Sequence, residues 1–232
     1  MTVDESFDVF LAAADRDGAL AEASALVGAS LSRRRVLGLG VAGVVAAFGV
    51  AGRANAASGL SASDISILNY ALVLEYLQAS FYTEAERGGA LSGKTALAAR
   101  VVGATERAHV KAFQKLLGAH AVKRPLFDFQ GTTEQQQPFL KTAVAFEDLA
   151  VAAYKGQAPR LQSAPVLAAA VGIHSVEARH AAWMRELFGI TPAVHAFDQP
   201  ATRSSITRIV KSTHFIVERP QMKRKHRPKY TG

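Results

Sequence analysis

Four stretches of this chain carry an apolar stripe at helical spacing, and each stripe is interrupted by acidic or imidazole side chains. Ile65, Leu68, Leu72, Glu75 and Tyr82 share one face of the first stretch, and Val102, Glu106, His109, Phe113 and Leu116 one face of the second. Leu140, Val144, Glu147, Val151 and Tyr154 do the same in the third, and Val166, Ile173, Glu177, His180, Met184 and Leu187 in the fourth. Steps of three, four and seven residues keep side chains on one side of a 3.6-residue helix, so these stretches are expected to be helices whose stripes pack together.

Turn and cap residues set the bounds. Ser61 or Ser63 is a candidate N-cap for a first helix running to about Arg87, where Gly88 and Gly89 follow. A second helix is expected over about Ser92 to Leu117, a third over about Thr133 to Lys155, and a fourth over about Pro165 to Phe188. Gly118, then Gly156 with Pro159, then Gly189 with Pro192 mark their ends. The first and last connections are short and predict antiparallel neighbours; the longer one, Ala119 to Thr132, can cross the bundle end. The expected fold class is all-α, a four-helix bundle with a crossover between the second and third helices, spanning residues 57–200.

The polar interruptions carry the chemistry. They read Glu75, then Glu106-x-x-His109, then Glu147, then Glu177-x-x-His180. Residues three apart on a helix lie about 60° apart around the axis and about 4.5 Å along it, so a Glu and a His in this relation can reach one cation from one face. Two such clamps and two further carboxylates supply six ligands for two divalent ions. Four carboxylates balance the charge of those ions, and a dry interior tolerates neither set alone. The spacing from Glu75 to Glu106 is 31 residues and that from Glu147 to Glu177 is 30, which suggests a pseudo-two-fold site built from two helical hairpins. Solvated glutamates on exposed helix faces are the competing reading.

Weaker candidates stand nearby. Tyr82 and Tyr154 each follow a lone glutamate by seven residues and are expected first as core aromatics, with hydrogen bonding to a ligand or radical transfer as alternatives. Gln78 sits three residues after Glu75 and His174 three before Glu177, where either can hydrogen-bond a ligand. Trp183 and Met184 are expected to pack in the bundle.

Composition narrows the metal. Of 232 residues, 49% are hydrophobic and none is cysteine, which excludes disulfides, thiolate metal sites and iron–sulfur clusters. Oxygen and imidazole donors favour iron or manganese over zinc or copper(I).

Residues 1–56 form a different kind of segment. Ser32-Arg33-Arg34-Arg35-Val36-Leu37 leads into a Gly- and Ala-rich apolar run ending near Ala51, followed by Ala54-Asn55-Ala56. Paired arginines, a mildly apolar middle and a small-x-small end resemble a twin-arginine export signal, with cleavage expected after Ala56 and delivery to the periplasm, cell envelope or exterior. The alternative is a buried helix or short anchor, but 16 apolar residues fall short of the roughly 20 that span a bilayer. At the other end, residues 201–232 carry nine Lys or Arg against the single acid Glu218, so this extension holds nearly all of the formal net charge of +8. Its run from Lys223 to Lys229 suits an anionic envelope surface, or is simply solvated. It lacks the aromatic interleaving of a nucleic-acid binder. Ile206, Ile209, Val210, Phe215, Ile216 and Val217 are expected to form a small helix and an extended segment packed on the bundle.

The helix order with this ligand pattern resembles the ferritin-like superfamily. The signal segment, the connection Pro125-Leu126-Phe127-Asp128-Phe129 and the segment Ala196-Phe197-Asp198 look like its exported, desiccation-related branch, over roughly Ser61 to Val217. The resemblance implies two iron or manganese ions, with Glu106 and Glu177 as bridging carboxylates, Glu75 and Glu147 as terminal ligands, and His109 and His180 as one imidazole on each metal. It implies oxidation of ferrous iron or consumption of oxygen or peroxide as the activity. A non-catalytic metal-binding or iron-storage protein and a structural envelope protein stapled by metal stay open, because the superfamily hosts all of these. A homo-oligomer is also open, a hollow shell being what storage requires.

Overall fold

The computed structural model describes residues 59–218. The arginine-led segment with its expected cleavage point, and the basic run over 223–229, lie outside the described residues. Four long helices, α1 (Ala62–Gly88), α2 (Gly93–Leu117), α3 (Gln136–Gln157) and α4 (Ala164–Phe188), are followed by a shorter α5 (Arg203–Ser212). Two short strands, β1 (Leu126–Phe127) and β2 (Ile216–Val217), pair antiparallel, with Leu126 opposite Val217 and Phe127 opposite Ile216. No helix among the described residues is long and apolar enough to cross a membrane.

Local chemistry sets the helix ends. Ser61 is the N-cap of α1, its Oγ accepting from the Asp64 backbone N–H at 3.0 Å, which settles the choice between Ser61 and Ser63. Asp64 then caps a different helix. Its buried carboxylate accepts from the backbone N–H groups of Gln162 and Ser163 at 2.9 and 3.1 Å, just before α4 begins. α1 and α4 both end on left-handed glycines, Gly89 and Gly189, with φ of 66° and 84°.

Two bounds differ from the expectation. α3 starts at Gln136 and not at Thr133, because Pro138 has no N–H to donate to Glu134; the first helical bond is Phe139 N–H to the Gln135 carbonyl at 3.0 Å. Thr133 is used elsewhere, donating from its hydroxyl to buried Glu84 at 2.7 Å. α3 also runs through Gly156. This glycine serves close packing and does not stop the helix: a Cβ there would fall 2.0 Å from the Ala201 carbonyl oxygen, while the Ala201 N–H donates to the Ala152 carbonyl.

α1 packs along α2, and α3 along α4, giving two hairpins; across them α1 neighbours α3 and α2 neighbours α4. The connection from α2 to α3 is the expected crossover, but its path lies along the bundle and not over its end. It climbs along α1: Val122 bonds Asn69, Arg124 bonds Ser80, Phe129 meets Phe81 edge-on, and Thr133 reaches Glu84. Running the length of the bundle, it delivers α3 parallel to α2 and antiparallel to α1, the direction on which the site depends. Phe81 is the hub of this closure, stacked on Phe139 at 5.1 Å and edge-on to Phe129 and Phe146. Phe215, beside β2, packs edge-on against Phe129 and Phe146, so the described residues beyond Pro200 join the same core. Ile206 and Val210 of α5 are buried there, whereas Ile209 and Ile216, expected to pack, face outward.

Candidate metal centre

Glu75, Glu106, His109, Glu147 and Glu177 are fully buried, and His180 is 7% exposed. The bundle brings all six together as two interlocking sets: Glu75, Glu106, His109 and Glu177, and Glu106, Glu147, Glu177 and His180. Within each set the donor atoms lie within 4.8 Å of one another, so each can hold a metal ion.

The two imidazoles define the halves. Nδ1 of His109 faces Glu75 Oε2 at 3.2 Å, Glu106 Oε2 at 3.4 Å and Glu177 Oε1 at 3.2 Å. Nδ1 of His180 faces Glu106 Oε1 at 2.9 Å, Glu147 Oε2 at 3.5 Å and Glu177 Oε2 at 3.8 Å. Glu106 and Glu177 therefore divide their oxygens, one to each half, while Glu75 and Glu147 serve one half each. The separations suit ligands of a shared cation, since bonds of about 2.1 Å place neighbouring donors about 3.0–3.4 Å apart.

Hydrogen bonding inside the chain leaves the cluster unsatisfied. Nine of its oxygen and nitrogen atoms are buried without a hydrogen-bond partner: Oε2 of Glu75 and Glu147, both oxygens of Glu106 and Glu177, both ring nitrogens of His109 and Nδ1 of His180. No lysine or arginine is buried among the described residues, so no fixed cation balances the four carboxylates. Two imidazoles are the only basic groups facing these four buried carboxylates, which is costly, and divalent cations are what this donor set fits.

Without metal, protons take that role. Burial pushes Glu75 up to about 8 against the opposing pull of His109, and pushes Glu147 up to about 8 against its contact with His180. Burial also works to raise Glu106 and Glu177, yet the two imidazoles hold both below the ordinary carboxylate value. Burial alone would lower His109 and His180; the surrounding carboxylates override it and raise both well above the usual imidazole value. In the metal-free cluster these directions favour imidazolium at His109 and His180, protonated carboxyls at Glu75 and Glu147, and ionised carboxylates at Glu106 and Glu177.

Tyr82 and Tyr154 are more than core aromatics. The Tyr82 hydroxyl donates to Glu147 Oε1 at 2.6 Å and that of Tyr154 donates to Glu75 Oε1. Burial, followed by the neighbouring glutamates, raises both phenols far above their usual value, so both remain donors. Each terminal glutamate is left with one free oxygen, turned toward its imidazole. Gly103 makes this placement possible, since a Cβ there would fall 2.8 Å from Cβ of Tyr82. The seven-residue spacing from each glutamate was the available signal; the crossed pairing depends on α1 and α3 being antiparallel, which sequence spacing alone does not fix. Tyr82→Phe is expected to leave Glu147 Oε1 unpartnered and to weaken metal binding by about tenfold to a hundredfold, read by competition with a chelator.

The remaining candidates fall outside the cluster or beside it. His174 turns away, with Nε2 3.7 Å from Asp198 Oδ2. Met184 is fully buried, and Trp183 packs partly buried against the core. Gln78 is buried on the same stripe as Glu75.

A four-helix bundle with a carboxylate–histidine cluster at its middle defines the class of protein. The model of the ferritin-like domain family matches residues 63–189, more than half of the chain and nearly all of α1 to α4, and the chain belongs to that family. Among curated proteins, none matches it significantly.

Proposed function

We propose that the six converging side chains hold about two iron or manganese ions. In this reading the protein is an exported member of the family, from its desiccation-related branch, that oxidises ferrous iron or consumes oxygen or peroxide in stress protection. The carrying observation is the set of nine unpartnered donor atoms in a core without a buried lysine or arginine among the described residues. The absence of cysteine and the oxygen-rich donor set support iron or manganese.

When bound, a pair of such ions supplies a two-electron change shared between neighbouring centres. The chain's own residues set the conditions for it. Glu106 and Glu177 would span the two halves, and His109 and His180 would each hold one half through Nδ1. Tyr82 and Tyr154 hold Glu147 and Glu75 by one oxygen, which limits each to a single remaining oxygen for a metal. The aromatic and aliphatic core excludes bulk water, and the edge of His180 is the one part of the six that reaches the surface.

The arginine pair Arg33–Arg34, the apolar run after it and Ala54-Asn55-Ala56 support export with cleavage after Ala56. The basic residues from Lys223 to Lys229 support contact with an anionic envelope surface.

Catalysis is tested by supplying purified, metal-loaded protein with ferrous iron under air, and separately with peroxide. The expected result is oxygen uptake or peroxide breakdown that stops when the metal is stripped. Bound metal with neither reaction would instead favour a non-catalytic metal-binding protein, and a 12- or 24-subunit shell on gel filtration would favour storage.

A further inference from the structure

On α2 and α4, a glutamate and the residue three positions later close on one another: Nδ1 of His109 lies 3.4 Å from Glu106 and Nδ1 of His180 lies 3.8 Å from Glu177. The same relation joins Glu75 to Gln78 on α1 and Glu147 to Ala150 on α3. α1 and α3 pass over the cluster in opposite directions. Glu75 belongs to the His109 half, while Tyr82, seven residues on, reaches Glu147 of the His180 half; Glu147 and Tyr154 make the reverse crossing. A residue between Glu75 and Tyr82 on that stripe stands at the level between the two halves. Two residues of α1 lie at this level, Gln78 and Ala79; Gln78 is the one offset toward Phe81, which packs on Phe139 and Phe146 of α3, and its pseudo-two-fold counterpart is Ala150.

At this level α1 therefore carries an amide where α3 carries a methyl. Gln78 is 2% exposed, and its Nε2 is buried with no hydrogen-bond partner. An amide nitrogen donates and does not bind a cation, so what it lacks is an acceptor. Leaving a buried donor unpaired is costly, and Ala150, 1% exposed, takes little space on the opposite helix.

We propose that Gln78 recognises the small ligand of the centre: Nε2 donates a hydrogen bond to an anionic or peroxide-like molecule seated between α1 and α3. This rests on the dinuclear reading above and adds to it which side of the cluster a ligand occupies and which residue selects it. Ligands able to accept a hydrogen bond are favoured over those that cannot.

Azide serves as the probe, titrated into the full chain loaded with iron or manganese, with metal content measured on the same samples. Gln78→Met keeps the bulk and removes the donor; Gln78→Ala copies the α3 side. Both variants are expected to retain the metal content of the unaltered protein and to bind azide about tenfold to a hundredfold more weakly. Azide affinity within twofold of the unaltered protein at equal metal content would overturn the proposal. So would loss of metal from both variants, since Gln78 would then be holding the cation through its amide oxygen. An unaltered chain that takes up no metal overturns the dinuclear reading itself and is distinguished by that measurement.

Discussion

Glu106→Gln is expected to strip both ions from the bundle at once, whereas Glu75→Gln is expected to remove about one. The difference follows from how the oxygens are shared. Glu106 gives Oε1 to the His180 half and Oε2 to the His109 half, so its loss damages both; Glu75 serves the His109 half alone. Glu177→Gln should behave like Glu106→Gln, and Glu147→Gln like Glu75→Gln. Glutamine keeps the shape, so a loss reports on charge and donor chemistry rather than on a cavity. The same series is readable in stability, because a ligand bound only by the folded state raises its melting temperature. Saturating metal should raise melting of the unaltered protein by on the order of 10 °C, and should leave Glu106→Gln unmoved. Equal losses from all four glutamate variants would contradict the assignment of shared and terminal carboxylates.

Metal uptake is expected to release close to four protons per pair of ions near neutral pH, and to strengthen steeply as pH rises. Both imidazoles are protonated in the metal-free cluster, and Glu75 and Glu147 keep protons up to about 8. Loading exchanges these protons for two divalent charges. Raising the pH by one unit between 6 and 7 should tighten apparent binding by up to about a hundredfold per ion, flattening above about 8 as the two glutamates ionise unaided. Proton release measured in two weakly buffered solutions of different buffer enthalpy gives the count directly.

The metal-free protein should show the opposite trend in stability. Glu75 and Glu147 have folded values raised to about 8, so their contribution is fully present below the ordinary glutamate value and is lost as pH climbs through about 8. The raised imidazoles act in the same direction, starting from the ordinary imidazole value. Glu106 and Glu177 are lowered, so their contribution is present above the ordinary glutamate value and lost on acidification below it. Melting in the presence of chelator should therefore peak in mild acid and fall toward pH 9, and metal should reverse the alkaline part of that fall.

Much of this architecture was legible because helical periodicity and metal chemistry impose the same spacing. Glu106 with His109 and Glu177 with His180 must lie three apart to share a cation, and three apart is also one face of a helix. Helix ends were readable where a single residue decides them, as at Gly89 and Gly189. Local pattern does not fix them where two roles compete: Pro138 delays α3 through its missing N–H, and Gly156 lies inside α3 because the Ala201 backbone needs its space. The path of the connection after α2 was not legible. It depends on where Asn69, Ser80, Phe81 and Glu84 of α1 offer partners, and those contacts join residues 44 to 53 positions apart. That path makes α1 and α3 antiparallel, and from it follow the crossed tyrosine bonds and the place of Gln78, which no local pattern encodes.

We propose these six side chains as a container for a pair of ions. Elemental analysis of the purified protein, referred to its chain concentration, tests it most directly. About two equivalents of iron or manganese per chain, falling to near zero in Glu106→Gln, are what the donor geometry predicts. Less than one equivalent in the unaltered protein, unchanged by that substitution, would contradict it.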